Sequence, residues 1–333
     1  MSTVRPATLY DVAEQAGVSL ATASRVLNGS ARIVAEDYRV RVTAAAEALG
    51  YHPNRSAQAT ARGTAAIVAL LVADIADPFF SSIAAGVTRE AERHGLLVTI
   101  AETDRDADRE HDLIQQLRGI RPRLLVLAGS RFHHEPGHDR LVAQLRGVGG
   151  DVVLVGQTEL PFGAVRIENR RGAEALAREL VATGHRTSAV LAGPEGLIAA
   201  VERVEGFVEG LRAAGAPEPL AVLHGAFDRD GGYEAAHRYA ASGMRADVLF
   251  AVNDVMAIGA MTALREAGVD VPGTTGVAGF DDIASALDAV PALTTVRIEL
   301  EEAGERAVRL GLEGGDGVAL GTRVVLRGST ARR

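Results

Sequence analysis

The chain has 333 residues, 47% of them hydrophobic, which is enough for two or three domains with sizeable cores. It contains no cysteine, and this excludes disulfides, thiol catalysis and cysteine-ligated metals. We expect a soluble, cytoplasmic protein, because no apolar run follows a basic start and none reaches the roughly 20 residues that span a bilayer.

The net charge of −8 is distributed unevenly along the chain. Residues 1–63 carry seven arginines and five acidic residues, which gives this segment a charge of +2 and leaves −10 for the remainder. An acidic body joined to a basic amino-terminal segment would present only that segment to DNA.

The stretch from Thr8 to Asn28 predicts two short helices joined by one tight turn. Thr8 and Asp11 have the spacing of a capping box, in which the two residues satisfy backbone N–H groups at a helix start. Gly17 permits the positive φ of the turn, and Ser19 is placed to cap the second helix. Apolar residues at helical spacing line one face of the first helix: Val12, Ala13 and Ala16. The pattern indicates a helix-turn-helix, whose second helix enters the DNA major groove, although these residues alone also allow a helical hairpin that binds no DNA.

A third helix is predicted over Val34–Leu49, and Gly50 ends it. Its apolar positions lie on one face and complete a small three-helix core: Val42, Ala45, Ala46 and Leu49. A short segment from Ser56 to Arg62 follows and leads into the rest of the chain.

Four motifs follow one another in this amino-terminal segment. At residues 9–13, 16–19, 24–29 and 48–54 they read Leu-Tyr-Asp-Val-Ala, Ala-Gly-Val-Ser, Ser-Arg-Val-Leu-Asn-Gly and Ala-Leu-Gly-Tyr-His-Pro-Asn. Together they resemble the LacI-type (lactose repressor/GalR) family of bacterial transcription regulators. The resemblance implies a homodimeric repressor whose affinity for a near-palindromic DNA operator is set by a small molecule, commonly a sugar.

The resemblance also implies which residues contact DNA. Leu20 and Ala21, which begin the second helix, would make apolar contacts with base edges, and Arg25 would bind a guanine through O6 and N7. The full set is Thr8, Tyr10, Ser19, Leu20, Ala21, Thr22, Arg25 and Asn28 in the helices, and Asn54, Ala57, Gln58 and Thr60 in the hinge.

Several positions depart from the family pattern. The family usually has a leucine at the position of Thr60, and that leucine inserts between base pairs from the minor groove and bends the operator. Because threonine is shorter and carries a hydroxyl, we expect less bending here. Ala35 replaces the usual serine cap of the third helix, and Glu168 replaces the usual aspartate before Asn169. No leucine heptad follows the last predicted strand, so we expect a dimer and not a coiled-coil tetramer.

From Thr64 onward, strand-length apolar runs alternate with amphipathic helices. This alternation is typical of parallel sheets covered by helices on both faces, and two series of four strands predict two similar α/β lobes. The predicted strands are 66–73, 96–100, 124–128 and 152–155, then 189–192, 221–223, 248–252 and 275–278, and finally 294–297 and 324–326. The arrangement resembles periplasmic sugar-binding proteins, as the effector domain of the LacI-type family does.

The predicted architecture is therefore an all-α helix-turn-helix headpiece followed by a two-lobed, periplasmic-binding-protein-like α/β domain. We place the headpiece at residues 1–52, a hinge at 53–63, lobe one at 64–165 and 294–322, and lobe two at 166–293 and 323–333.

A ligand of such a fold binds outside the carboxyl ends of the strands, which here means between the lobes. The residues that the resemblance assigns to the effector are Phe80, Ser130, Arg203, Phe227, Asn253 and Asp281. This set suits a carbohydrate or a nucleoside. Two alternatives stay open: Phe80 could cap the core, and Arg203 could be a solvated residue paired with Glu202 or Glu205. Asp254 is predicted to cap the helix that it begins.

Enzyme and metal functions find no support in the motifs. The chain has no lysine, and hence no P-loop, and it has neither a dinucleotide fingerprint nor a nucleophile elbow. His133 and His138 lie in a loop without defined metal geometry, so we predict no metal, no cofactor and no catalysis.

A sugar-binding receptor without a DNA role is disfavoured by the helix-turn-helix and the absent export signal. A nucleoside or another non-sugar metabolite, acting as co-repressor, is the alternative effector.

Overall fold

The computed structural model describes residues 7–27, 34–51, 65–129, 131–132, 137–156, 159–315 and 317–331. The chain divides into two compact units, residues 1–65 and 66–333. No helix in these described ranges is long and apolar enough to cross a bilayer.

The first unit contains three helices: α1 (Leu9–Ala16), α2 (Leu20–Leu27) and α3 (Glu36–Ala48). The predicted capping box is present, because the Thr8 hydroxyl accepts the Asp11 N–H while the Thr8 N–H donates to the Asp11 carboxylate over 2.7 Å. Gly17 ends α1 with a φ of 62°. The Ser19 hydroxyl accepts the N–H of Thr22 at 3.1 Å and so caps α2. The predicted helix-turn-helix is confirmed.

A small apolar core holds these three helices together. Each helix contributes a fully buried side chain, and four alanines surround them: Val12, Ala23 and Val42, with Ala13, Ala16, Ala45 and Ala46. Helix α3 begins after Ala35, which makes no side-chain cap, as expected from the loss of the family's serine.

A six-stranded sheet forms the centre of lobe one in the second unit. Its strands are β1 (Ala65–Val72), β2 (Leu97–Glu102), β3 (Pro122–Ala128), β4 (Asp151–Val155), β5 (Gly163–Ile167) and β11 (Val318–Leu320), in the order β11-β5-β4-β3-β1-β2. Its helices are α4 (Pro78–Arg93), α5 (Ala107–Ile120), α6 (His138–Arg146) and α12 (Leu300–Glu313). Along β1, Val68 and Leu70 pack with α4 and α12, whereas Ala69 and Leu71 pack with α5 and α6. The sheet is thus covered on both faces, as predicted.

A four-stranded parallel sheet forms the centre of lobe two. Its strands are β6 (Ser188–Ala192), β7 (Val222–His224), β8 (Val248–Ala251) and β9 (Gly276–Ala278), in the order β7-β6-β8-β9. Its helices are α7 (Asn169–Ala182), α8 (Ile198–Ala213), α9 (Arg229–Ala241) and α10 (Asp254–Glu266).

An antiparallel pair, β10 (Thr295–Ile298) and β12 (Thr322–Val325), lies beside this second sheet and is bridged to β9 through Thr294 and Ala278. This pairing favours placing residues 295–298 with lobe two, and the exact lobe boundaries stay a prediction. Several short elements were not predicted from the sequence: β5, β11, α11 (Ser285–Asp288) and the 3-10 turn Gly328–Thr330.

Glycines let α4 and α12 pack backbone against backbone. A Cβ atom on Gly86 would lie 1.9 Å from the Glu301 carbonyl oxygen, and one on Gly304 would lie 2.2 Å from the Ile83 carbonyl oxygen. Neither separation is sterically possible, so this helix pair requires glycine at both positions. Gly119 in α5 differs, because a Cβ there would meet nothing within 4 Å.

We expect Gly86→Ala and Gly119→Ala to change stability in opposite directions. Gly86→Ala forces the α4–α12 pair apart and should lower the free energy of unfolding by about 1–3 kcal/mol or more. Gly119→Ala adds a methyl group in open space and should raise it by about 0.5–1 kcal/mol through helix propensity. Urea unfolding of both variants measures the difference, and equal stabilities would contradict the close approach of the two helices.

Candidate functional site

A cavity lies between the two lobes, at the carboxyl ends of their strands. Lobe one contributes polar and aromatic side chains from the segments after β1, β2 and β3: Asp77, Phe79, Phe80, Arg105, Asp106, Glu110, Arg131 and Phe132. Lobe two contributes Asn169, Leu197, Ala199, Arg203, Phe227, Asn253 and Asp281. The location agrees with the ligand position that the fold predicts.

Arg203, in α8, is only 2% exposed, and each of its three side-chain nitrogens lies close to an acceptor within the protein. Its Nε donates to Asn169 Oδ1 at 2.9 Å, and its Nη1 donates to the Val252 carbonyl oxygen at 2.7 Å. Its Nη2 lies 2.9 Å from Asp281 Oδ1. The guanidinium carbon lies 4.0 Å from the centre of the Phe280 ring, within the range of a cation–π contact.

The alternative of a solvated Arg203 is therefore wrong. Glu202 accepts a hydrogen bond from Asn169 Nδ2 at 3.1 Å, and Glu205 pairs with Arg170. The helix turns Arg203 toward the strand ends, where buried acceptors are available, and leaves Glu205 exposed on its outer face.

Asp281 follows β9 in an unusual backbone conformation. Asp281 and Asp282 have φ values of 121° and 58°, in a region that residues other than glycine seldom adopt. The Asp281 N–H donates to the Val296 carbonyl, and its own carbonyl accepts the Ile298 N–H, so β10 holds the turn. Burial raises the pKa of Asp281, and the Arg203 guanidinium works against that rise. Asp281 Oδ1 lies close to Arg203 but is itself buried and accepts no well-aligned hydrogen bond from the described residues, while the residue as a whole borders the cavity.

Asn253, and not Asp254, caps helix α10, which corrects the prediction for Asp254. Asn253 Oδ1 accepts the Met256 N–H at 2.8 Å. The Asp254 carboxylate turns into the protein and accepts the Thr295 hydroxyl at 2.6 Å and the Ile283 N–H at 3.0 Å. Asp254 fails as a cap because these buried donors lie within its reach. Burial raises its pKa to about 6.

Aromatic rings border the cavity on both lobes. Phe79 and Phe80 contact each other edge to face with ring centres 5.0 Å apart, and both border the cavity, although the resemblance assigned only Phe80 to the effector. Phe80 also belongs to the core of lobe one, and its contact with an effector stays a prediction. On lobe two, Phe227 lies against Gly193, and its carbonyl accepts a 3.4 Å hydrogen bond from Asn253 Nδ2.

The sequence analysis missed an ion pair on the lobe-one wall. Arg131 donates to both oxygens of Glu110, at 2.9 and 3.1 Å, with side chains 13% and 14% exposed. The neighbouring backbone joins the lobes, because the Ile198 N–H donates to the Arg131 carbonyl at 2.9 Å and Phe132 forms a bridge with Leu197. No sequence motif marks this pair, since its members lie on separate elements.

The predicted DNA-contacting residues that the structure describes lie on the surface of the first unit. Tyr10 is 65% and Leu20 is 50% exposed, and Ser19, Ala21 and Arg25 are exposed as well. Arg25 forms no ion pair with another described residue. Thr8 is exposed and Thr22 is half-buried, each beside a helix cap. The remaining predicted residues lie outside the described ranges: Asn28, Asn54, Ala57, Gln58 and Thr60, together with Ser130 of the cleft.

Family models match both units. Residues 8–54 match the model described as "Bacterial regulatory proteins, lacI family". Residues 65–310 match the one described as "Periplasmic binding proteins and sugar binding domain of LacI family".

Individual proteins match over nearly the whole chain. The transcriptional regulator GalR of Escherichia coli is 34% identical over 92% of this chain and 88% of its own length. The structure of the lac repressor dimer bound to operator and the anti-inducer ONPF has a TM-score of 0.86 and 27% identity, covering 98% of this chain and all of that one. The complex of the regulator CelR with cellobiose has a TM-score of 0.72 and 31% identity, covering 97% and 99%.

Replacing Asp254 should change how stability depends on pH. A carboxyl group whose pKa is about 6 in the folded protein, against an ordinary 3.8, stabilises the fold below pH 3.8 and loses that contribution as pH rises through 6. Asp254→Asn cannot ionise at this position. As pH rises from 4.5 to 7, its free energy of unfolding should therefore increase relative to that of the wild type by on the order of 2 kcal/mol. Urea unfolding across this range measures the difference, with Asp151→Asn at an exposed carboxylate as control. A difference independent of pH would show that Asp254 titrates normally.

Proposed function

The chain belongs to the LacI family of bacterial regulatory proteins, and we propose that it is a homodimeric repressor whose operator affinity is controlled by a sugar bound between the lobes. The observation that supports this function best is the buried Arg203–Asp281 pair, which opens onto a cavity in a chain that also carries a helix-turn-helix. On this proposal the protein is a ligand-controlled DNA-binding protein of the cytoplasm and not an enzyme.

For DNA binding, the proposal rests on the exposed face of α2. Leu20 and Ala21 offer apolar surface of the kind that contacts a thymine methyl group, and Arg25 carries an exposed guanidinium of the kind that binds a guanine edge. The apolar core packs the opposite face of α2 against α1 and α3, so the helix would enter the major groove as a rigid element.

For effector binding, the proposal rests on a polar wall opposite aromatic rings. Arg203, Asn253 and Asp281 supply donors and acceptors for adjacent hydroxyl groups, while phenylalanine rings suit the C–H face of a sugar. The same rings would stack on a nucleobase, so a nucleoside co-repressor is the second candidate.

Arg25→Ala should weaken operator binding by about 1–3 kcal/mol and relax the preference at one base pair in each half-site. A binding assay with operators varied at single positions measures both effects. The control is Arg39→Ala, at an exposed arginine of α3 that pairs with Glu36. If this arginine contributes only to phosphate binding, its loss should weaken binding to all operator sequences equally and leave the base preference unchanged. Wild-type affinity and preference in Arg25→Ala would show that Arg25 reads no base.

Asp281→Asn and Arg203→Lys should separate effector binding from DNA binding. Asp281→Asn removes the negative charge of the pair, and Arg203→Lys keeps the positive charge but loses the planar set of guanidinium donors. Effector affinity should therefore fall at least about tenfold while operator affinity persists. Calorimetry with the effector and operator titration measure the two activities. Arg170→Ala, on the outer face of neighbouring α7, is the control. Parallel loss of both activities would instead assign the pair a role in folding.

A further inference from the structure

We propose that the effector of this protein is uncharged, a neutral polyhydroxy compound, and that phosphorylated or carboxylated sugars do not act on it. The inference rests on the proposed function and specifies its ligand class. The supporting observation is that the buried charges lining the cavity are already paired with one another.

The positive charge of Arg203 is neutralised within the protein. An arginine stays protonated, and one that is 2% exposed would be strongly destabilised without a counter-charge. Asp281, 2.9 Å from Nη2, is that counter-charge, so the favoured form of the pair is ionised although burial opposes it. A ligand therefore meets an ion pair at this wall and not a free cation.

The geometry of the pair selects a hydroxyl group. Arg203 has five N–H donors and spends only part of them on Asn169 and Val252, and the Asp281 carboxylate beside it borders the same cavity. A hydroxyl bridges such a pair, because it accepts from the guanidinium and donates to the carboxylate. A ligand carboxylate or phosphate dianion has no proton to donate, and its oxygens would lie against the negative charge of Asp281.

The lobe-one wall leads to the same conclusion. The guanidinium of Arg131 is occupied by both oxygens of Glu110, so an anion would bind there only by breaking a largely buried pair. Arg105 is exposed at the rim, where Asp77 and Asp106 also line the cavity. The described cavity lining holds three arginines and four acidic residues, which gives it no excess of positive charge.

Matched pairs of neutral and anionic compounds test the inference. The purified protein is screened by thermal shift against galactose, ribose, cellobiose and cytidine, and against galactose 6-phosphate, galacturonate, ribose 5-phosphate, cellobionate and cytidine monophosphate. We expect every compound that raises the melting temperature to be neutral, and its anionic counterpart to bind at least about tenfold more weakly in calorimetry. An anionic compound that binds as well as its neutral partner overturns the inference and leaves the proposed function intact. A panel without any binder counts against the proposed function, and against the inference with it.

A variant on the lobe-one wall adds a second test. Glu110→Gln removes the counter-charge of Arg131 and should improve binding of the anionic counterpart relative to the neutral compound. Glu301→Gln removes an exposed partner of Arg89 far from the cavity and should leave this ratio unchanged. An unchanged ratio in Glu110→Gln would contradict the argument from charge pairing.

Discussion

The cleft depends on one buried positive charge. A guanidinium leaves water only at a large cost in free energy, unless its charge and its N–H groups are compensated. The compensation of Arg203 comes from an amide on α7, a carbonyl just after β8, and a ring and a carboxylate in the segment after β9. Each partner must stay within a few ångströms of α8. One side chain therefore holds a helix and two strand ends at the same point of lobe two.

Keeping Asp281 beside Arg203 requires an unfavourable backbone. Positive φ at two successive aspartates is unfavourable by roughly 1–3 kcal/mol for each residue and persists only where the surroundings hold it. The buried Asp282 carboxylate pairs with Arg297 and Arg327, and Asp254 accepts the next N–H in the turn. These interactions under the turn stabilise the backbone conformation that keeps the Asp281 carboxylate at the edge of the cavity. This explains why the site contains more buried carboxylates than a ligand could contact.

The sequence predicts those parts of the molecule that follow from local pattern. The headpiece caps, the long apolar strands and the amphipathic helices all depend on neighbouring residues, and the structure has them where the pattern indicates. Strands β5 and β11 were missed because both are short, and β11 in addition pairs with a strand far earlier in the chain. Asp254 was misassigned because a capping pattern cannot reveal the competing donor on Thr295, and Arg131 and Glu110 meet only in the folded lobe. The family resemblance indicated the cleft residues, but not the pairing that neutralises their charges.

Helix α8 connects the ligand wall to the contact between the lobes. Its amino-terminal residue Leu197 offers no side-chain cap, and the first free N–H of the helix, that of Ile198, donates to the Arg131 carbonyl of lobe one. A helix amino terminus needs acceptors, and in this arrangement lobe one supplies one of them. Arg203 lies little more than one turn further along the same helix, and Arg131 is part of the opposite wall. On the proposed function, a ligand bound at Arg203 would therefore contact the same helix whose amino terminus is hydrogen-bonded to the other lobe.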